Sequence, residues 1–168
     1  YFTVKDKDKR WTNLLEGHEL YCSGHLMEAA CAYYEATGKR KLLDVMLKNT
    51  EHIYDVFITQ GNKGYPGHPE VELALMKMYR CTGDKRCYEL SKHFIDIRGV
   101  DCHFYEKEAQ QRSWTVWGNN ASDYAYTQSG APVREQKDAT GHAVRAVYLY
   151  TGMADVAGES GDKTLLDD

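Results

Sequence analysis

Three histidines of this 168-residue chain share one sequence context. His18, His68 and His142 each directly follow a glycine, and each stands where the pattern predicts the start of a helix. Imidazole nitrogens can donate to or accept from the hydroxyl groups of a polar ligand, and a helix N-terminus favours the neutral ring. In a ring of antiparallel helices every second helix starts at the same end. The sequence therefore predicts one shared polar site, with structural helix-start histidines as the alternative.

A zinc site on the first helix is a competing hypothesis. His18, Cys22 and His25 stand at i, i+4 and i+7, which places them on one helical face. The same face is the apolar stripe of the helix, which favours a small buried cysteine over a ligand. We therefore predict no metal site in this chain. The five cysteines are odd in number and irregularly spaced, so we expect reduced thiols.

The helices that must hold these side chains follow a repeated pattern. The segment Tyr34–Arg40 recurs as Tyr79–Arg86, and a looser copy surrounds Gly161. In each copy a glycine follows one amphipathic stretch and precedes another, which is typical of a helix end. A helical hairpin cannot bury its apolar face alone, and stacked hairpins form solenoids or closed rings. The sequence predicts an all-α fold, and we expect the chain to be part of a larger helical domain.

The pattern predicts a loop over residues 1–17 and five long helices. These helices are predicted from His18 to Gly38, from about Lys41 to Ile58, from His68-Pro69-Glu70 to Gly83, from about Lys85 to Arg98, and from Gly141-His142 to about Gly161. Pro69 suits a first helical turn, and Glu70 and Glu72 suit the positive end of the dipole. Residues 100–140 are predicted as a long aromatic-rich loop excursion. Its aromatic residues are expected at the rim of a pocket: Trp114, Trp117, Tyr124 and Tyr126.

Composition excludes several classes of function. A net charge of −4 and the absence of long basic runs argue against a nucleic-acid partner. No apolar run approaches the ~18 residues that a membrane span requires, so we expect no membrane partner. No signal peptide opens the chain, which begins with Tyr1 and not with an initiator. We expect a soluble protein, cytoplasmic, or periplasmic or secreted if an upstream signal was lost.

Three sequence blocks resemble one enzyme family. The segment His18–Ala30 is similar to the H-E-[LM]-Y-x-x-G-H-x-x-E-A-A block of the β-L-arabinofuranosidases of glycoside hydrolase family 127. Gly67–Leu75 resembles their G-H-P-E-[IV]-E-L-A-L block. Pro132–Gln136 with Gly141–Ala146 resembles their P-V-x-[ED]-Q…G-H-A-V-R block. The blocks occur in order and span nearly the whole chain.

The resemblance implies a fold and assigns sugar binding and catalysis to different parts of the enzyme. Residues 1–168 would be a fragment of one bacterial (α/α)6 catalytic barrel, with an early helical hairpin before it and β-sandwich domains after it. In the family the histidines of these blocks, here His18, His68 and His142, contact arabinofuranose. A zinc-bound cysteine thiolate is the nucleophile of a retaining mechanism, and a glutamate is the acid and base. Those groups follow the last block, so we expect no catalytic residue here, zinc only in the full-length enzyme, and an inactive isolated chain.

Two functions therefore remain in view. The first is the sugar-binding part of a glycoside hydrolase that removes terminal β-L-arabinofuranosides from plant-derived glycans, with an arabinose-containing oligosaccharide as its partner. The alternative is a non-catalytic α-helical repeat protein that binds a peptide or a protein. The glycine-histidine helix starts favour the first, because a repeat scaffold has no need of them.

Overall fold

The computed structural model describes residues 4–166, and over that range it contains helices and no strand, which confirms the all-α prediction. The predictions for residues 1–3 and 167–168 lie outside the described residues. A short π-helix, Asp55–Thr59, extends the second α-helix. The α-helices of the described range are α1 (Glu19–Thr37), α2 (Lys41–Tyr54), α3 (Val71–Thr82), α4 (Lys85–Ile97), α5 (Phe104–Gln111), α6 (Tyr124–Thr127) and α7 (Ala143–Ser160).

The repeated glycine ends a helix in each of its three copies. Gly38, Gly83 and Gly161 adopt left-handed backbone with φ of 69°, 73° and 71°. Each donates its N–H to the carbonyl four residues earlier, which closes the last turn of α1, α3 or α7. Glycine adopts this conformation at little cost because it has no Cβ. The repeat predicted from the sequence is therefore a structural repeat.

The helices form a two-layer arc. One layer contains α1, α3 and α7, with α3 packed between the other two. The second layer contains α2, packed on α1, and α4, packed on α3 and α7. Near their C-terminal ends, α3 and α7 are joined by an ion pair between Arg80 and Asp155 at 2.6 Å, so the two helices run in the same direction. This alternation of layers is the predicted arrangement of a partial barrel.

Two apolar clusters hold the layers together, and α3 contributes to both. The larger cluster lies among α1 to α4, and Leu43, Leu75 and Phe94 are completely buried in it. The smaller cluster lies among α3, α4 and α7, around Met76 and Leu149. Because α3 is apolar on two faces, it is the central element of the arc.

Two predicted elements differ in the structure. The third helix begins at Val71, since Glu70 has extended backbone at φ 170°, so His68, Pro69 and Glu70 precede the helix. Residues 100–140 are not all loop, because α5 and α6 lie within them. The α5 helix is fixed by distant contacts: its Glu108 carboxylate accepts hydrogen bonds from the backbone N–H groups of Leu14 and Leu15. Local periodicity contains no sign of such contacts.

Candidate functional site

The three histidine rings lie in one row at the N-terminal edge of α1, α3 and α7. The ring centroids of His18 and His68 are 5.8 Å apart, and those of His68 and His142 are 6.0 Å apart. His18 and His142 are the residues immediately before α1 and α7. His68 lies in the segment that leads into α3. Each of three neighbouring parallel helices therefore has one imidazole at its N-terminal end, and the three rings lie next to one another.

The glycines before these histidines allow close backbone contacts. A Cβ at Gly67 would lie 2.4 Å from the carbonyl oxygen of Leu15. Gly141 has a φ of 81°, and a Cβ there would lie 1.9 Å from the carbonyl oxygen of Ala125. No other residue fits at either position without a backbone shift. The glycine-histidine pairs thus set where the rings stand.

His18 has a strained backbone, with φ of 54° in the left-handed region. For a residue with a Cβ this conformation costs about 1–2 kcal/mol. Its ring Nδ1 lies 2.6 Å from the carbonyl oxygen of Glu16, which fixes the orientation of the ring. Residues with backbone strain of this kind cluster at functional sites.

Backbone partners assign the ring nitrogens of the row. In His18 and His68, Nδ1 donates to the carbonyl oxygens of Glu16 and Pro69, at 2.6 and 2.8 Å, so Nε2 remains an acceptor. In His142, Nδ1 accepts from the backbone N–H of Arg145 at 3.4 Å, which leaves Nε2–H as a donor. The row therefore offers two acceptors and one donor, a set that suits hydroxyl groups, which both donate and accept.

Two of the rings are neutral at physiological pH. Burial lowers the pKa of His68 to about 4, and the nearby Arg145 cation acts in the same direction. Burial also lowers the pKa of His18. These neutral rings can hydrogen-bond to an uncharged ligand without bringing a charge that would have to be desolvated.

Aromatic rings surround the row. Trp117 lies edge-on to His18 with centroids 4.9 Å apart, and Tyr126 lies edge-on to His142 at 5.4 Å. Tyr21 contacts His68 at 4.5 Å. The other two aromatic residues expected at the rim have different partners: Trp114 donates to Thr12, and Tyr124 donates to Glu106.

The sequence analysis did not identify Glu16, which binds the loop on one side of the site. Its buried carboxylate accepts hydrogen bonds from the Thr115 hydroxyl at 2.7 Å and from the backbone N–H groups of Val116 and Asn119 at 2.8 and 2.7 Å. Burial opposes its ionisation, but these hydrogen bonds outweigh that effect and lower the pKa of Glu16 to about 2. Glu16 therefore fixes the loop that carries Trp117, and no motif marks it in the sequence.

The two carboxyl groups at the start of α3 have different environments. Glu72 accepts the backbone N–H of Glu70 at 3.0 Å, so it does cap the helix start. Glu70, in contrast, is completely buried and neither of its carboxylate oxygens accepts a hydrogen bond. Glu70 thus stands at the N-terminal end of α3, as predicted, but its side chain makes no capping hydrogen bond.

The comparison with known proteins decides the family. The family model described as β-L-arabinofuranosidase, GH127 catalytic domain, matches residues 2–168. The chain belongs to glycoside hydrolase family 127. A non-reducing end β-L-arabinofuranosidase of Bifidobacterium longum subsp. longum is 41% identical over 162 residues, which cover 94% of this chain and 25% of that protein.

Solved structures of family 127 share the fold. A β-L-arabinofuranosidase of Geobacillus stearothermophilus T6 superposes with a TM-score of 0.88 at 48% identity, covering 98% of this chain and 26% of that one. A second family 127 β-arabinofuranosidase gives a TM-score of 0.78 at 37% identity, covering 99% and 23%. The chain thus spans about a quarter of the length of these relatives. The partial helical barrel predicted from the sequence is confirmed.

The thiolate-zinc centre implied by the family does not fit the residues described here. Burial raises the pKa of Cys31 and of Cys87 to about 12, which favours thiols over metal-binding thiolates. Among residues 4–166, one group of three metal-ligating side chains lies within 4.8 Å, and it consists of His25, Glu28 and Glu70 without a cysteine. The predicted alternative of His18, Cys22 and His25 is not brought together.

The helices of residues 4–166 include none that is both long enough and apolar enough to span a bilayer.

Proposed function

We propose that this chain provides the sugar-binding part of a bacterial glycoside hydrolase that removes terminal β-L-arabinofuranosyl units from plant-derived glycans. The observation that carries the proposal is the row of His18, His68 and His142 at one edge of the arc. Support comes from family 127, whose named relative above is a non-reducing end β-L-arabinofuranosidase. Family membership favours this function over a non-catalytic repeat protein that binds a peptide.

On this proposal the row binds the sugar through its hydroxyl groups. Two hydroxyls donate to Nε2 of His18 and of His68, and a third oxygen accepts from Nε2–H of His142. The rings of Trp117 and Tyr126 flank the row, where they can pack against the C–H faces of the furanose. The chain's own contribution is thus to orient the terminal sugar. The bond-breaking groups of a retaining double displacement belong to the rest of the enzyme.

Binding of methyl β-L-arabinofuranoside tests the proposal. We expect His68→Ala, in the protein that carries this chain, to weaken binding about 5-fold or more, because each lost hydrogen bond contributes about 1 kcal/mol or more. Isothermal titration calorimetry measures the dissociation constant. The matched control is His93→Ala, a half-buried histidine of α4 that packs on Phe94 and not on the row. Equal binding by wild type and His68→Ala would refute the proposal.

The 168-residue chain alone should not hydrolyse the glycosidic bond. The resemblance to family 127 implies that the thiolate nucleophile and the glutamate acid lie in segments that follow these blocks, and the metal-ligating group found in residues 4–166 contains no cysteine. Release of the aryl group from an aryl β-L-arabinofuranoside measures this, with the longer protein as the positive control. Turnover by the short chain above the buffer rate would contradict the expectation.

A further inference from the structure

We propose that His25, Glu28 and Glu70 form a binding site for one divalent transition-metal ion of the zinc type. The site is separate from the row of three histidines, and the proposal does not depend on which sugar the protein binds. The ion would be coordinated by one imidazole nitrogen and two carboxylate oxygens, a set of ligands that zinc-type ions accept.

The distances among the donor atoms match those around a small metal ion. Nδ1 of His25 lies 3.5 Å from Oε2 of Glu28 and 3.5 Å from Oε1 of Glu70. All three donor atoms lie within 4.8 Å of one another. Zinc bonds of about 2.1 Å at tetrahedral angles separate neighbouring ligand atoms by about 3.4 Å. The three side chains therefore need little rearrangement to hold an ion.

Glu70 is a buried carboxyl group that receives no hydrogen bond from an N–H donor of the described residues, and its polar neighbours are Glu28 and His25. Its side chain has no exposed surface, and neither oxygen accepts a hydrogen bond. Burial raises the pKa of Glu70 to about 10, and the neighbouring Glu28 acts in the same direction. Leaving such a group unsatisfied costs about 1–3 kcal/mol. A cation between Glu70, Glu28 and His25 would satisfy it.

A glycine of α1 provides the space that the Glu70 side chain occupies. Gly24 lies in the interior of that helix, and a Cβ there would lie 1.6 Å from Oε2 of Glu70. Glycine inside a helix costs about 1 kcal/mol relative to alanine, so this glycine has a packing reason. His25 and Glu28 follow it on the same helix at i and i+3, which directs both toward the segment before α3.

The neighbouring charged side chain of Lys77 does not block the access of an ion to the three ligands. Lys77 contacts Oε1 of Glu28, and Oε2 of that carboxylate remains directed at His25. The side chain of His25 is 39% exposed, which gives an ion a path from solvent. Tyr21 packs on His25 at 4.4 Å and separates the site from His68. The alternative state of the cluster is metal-free, with a protonated Glu70 carboxyl group that donates its hydrogen bond to the Glu28 carboxylate.

Zinc stoichiometry tests the proposal. Wild type and the double variant His25→Gln/Glu70→Gln, in the protein with its natural flanking sequence, are dialysed against Zn²⁺ and analysed by mass spectrometry of the metal. We expect the double variant to hold one zinc fewer per chain, while any zinc bound elsewhere remains. Equal zinc contents would overturn the proposal, because a cluster held by the hydrogen bond between Glu70 and Glu28 needs no metal.

A second histidine and glutamate pair provides the matched control. His103 and Glu106 have the same i, i+3 spacing, with Nδ1 2.6 Å from Oε2, but the metal-ligating group found in residues 4–166 does not include them. We expect His103→Gln/Glu106→Gln to keep the full zinc content. Loss of one zinc from this variant as well would show a non-specific effect and overturn the proposal.

A single variant and a competing ion complete the test. Glu28 is partly exposed, so Glu28→Gln should keep the fold, which far-UV circular dichroism checks. Its zinc affinity should fall by more than the roughly 10-fold that losing an outer-shell partner costs. Excess Mg²⁺ should not displace zinc, since Mg²⁺ prefers an octahedral set of oxygen ligands. An unchanged affinity in Glu28→Gln, or displacement by Mg²⁺, would overturn the assignment.

Discussion

A buried carboxylate can be stabilised mainly by hydrogen-bond donors, and Glu16 is held in this way. Its side chain has no exposed surface, and the nearest cation, the Arg112 guanidinium, is 3.9 Å away. Donors from residues 115–119 surround it instead. Since the backbone of Glu16 also orients the His18 ring, this residue connects the loop that carries Trp117 with the row of histidines.

Glu16→Gln should destabilise the protein by about 3 kcal/mol at pH 7. The folded-state pKa of Glu16 is about 2 and the ordinary value is 4.5, so the ionised side chain favours folding above pH 4.5. This stabilisation is lost as the pH falls from 4.5 to about 2, since a unit of pKa shift corresponds to about 1.4 kcal/mol. Urea denaturation across that range measures it.

The variant should therefore lose less stability on acidification than wild type. Glu51→Gln is the control, because that side chain is 66% exposed and pairs with Arg86 at the surface. Its effect should stay within about 0.5 kcal/mol. Parallel pH profiles for wild type and Glu16→Gln would show that Glu16 is not responsible for the acid sensitivity.

At the scale of elements, the approach of α1 to α3 depends on a small residue. Gly24 faces the start of α3, where a Cβ would lie 2.8 Å from Cα of Val71 and would also clash with the side chain of Glu70. Side chains on both helices then interdigitate, with Cys31 3.5 Å from the sulfur of Met78. The close contact of these two helices brings His18 and His68 side by side.

Gly24→Ala should destabilise the fold by about 1–3 kcal/mol, because overpacking at a backbone contact outweighs the helix propensity of alanine. The matched control is Gly158→Ala in α7, where a Cβ would meet no atom within 4 Å. That change should stabilise by about 0.5–1 kcal/mol. Thermal unfolding followed at 222 nm compares the two. Stabilisation by Gly24→Ala would contradict the close contact described here.

At the scale of the whole molecule, one buried arginine ties together segments that are remote in sequence. Arg98 follows α4, and its guanidinium donates to the carbonyl oxygens of Pro66 and Thr127 at 2.7 and 2.8 Å. It also pairs with Glu72 of α3 at 3.1 Å, with both side chains fully buried. These contacts hold the segment before His68 and the end of α6 against the helical arc.

Arg98→Met should cost about 3–5 kcal/mol, because it leaves the Glu72 carboxylate buried without its cation. Guanidinium chloride denaturation measures the change. Arg40→Met is the control, since Arg40 forms an exposed pair with Asp44 at 3.2 Å and should change the stability much less than Arg98→Met. A cost for Arg98→Met no larger than that of the control would contradict the bridging role.

Several features could be predicted from local sequence. The helix ends at Gly38 and Gly83 follow from the tolerance of glycine for left-handed backbone, and the helices between them follow from a period of 3.6 residues. The start of α3 could not be read in the same way. There the residue types of Pro69 and Glu70 predict a first helical turn. In the structure these residues precede the helix, and the Glu70 side chain packs against Gly24 of α1.

The sequence by itself determined the helical hairpins, their repeated glycine ends and the glycine-histidine starts of α1 and α7, because each depends on residues a few positions apart. Only the tertiary structure decided the partners of the buried polar groups. Glu16 and Val116 are 100 residues apart, and Leu14 and Glu108 are 94 apart. A buried carboxylate accepts hydrogen bonds from the donors that tertiary packing places next to it. The local periodicity of the sequence does not indicate which donors these are.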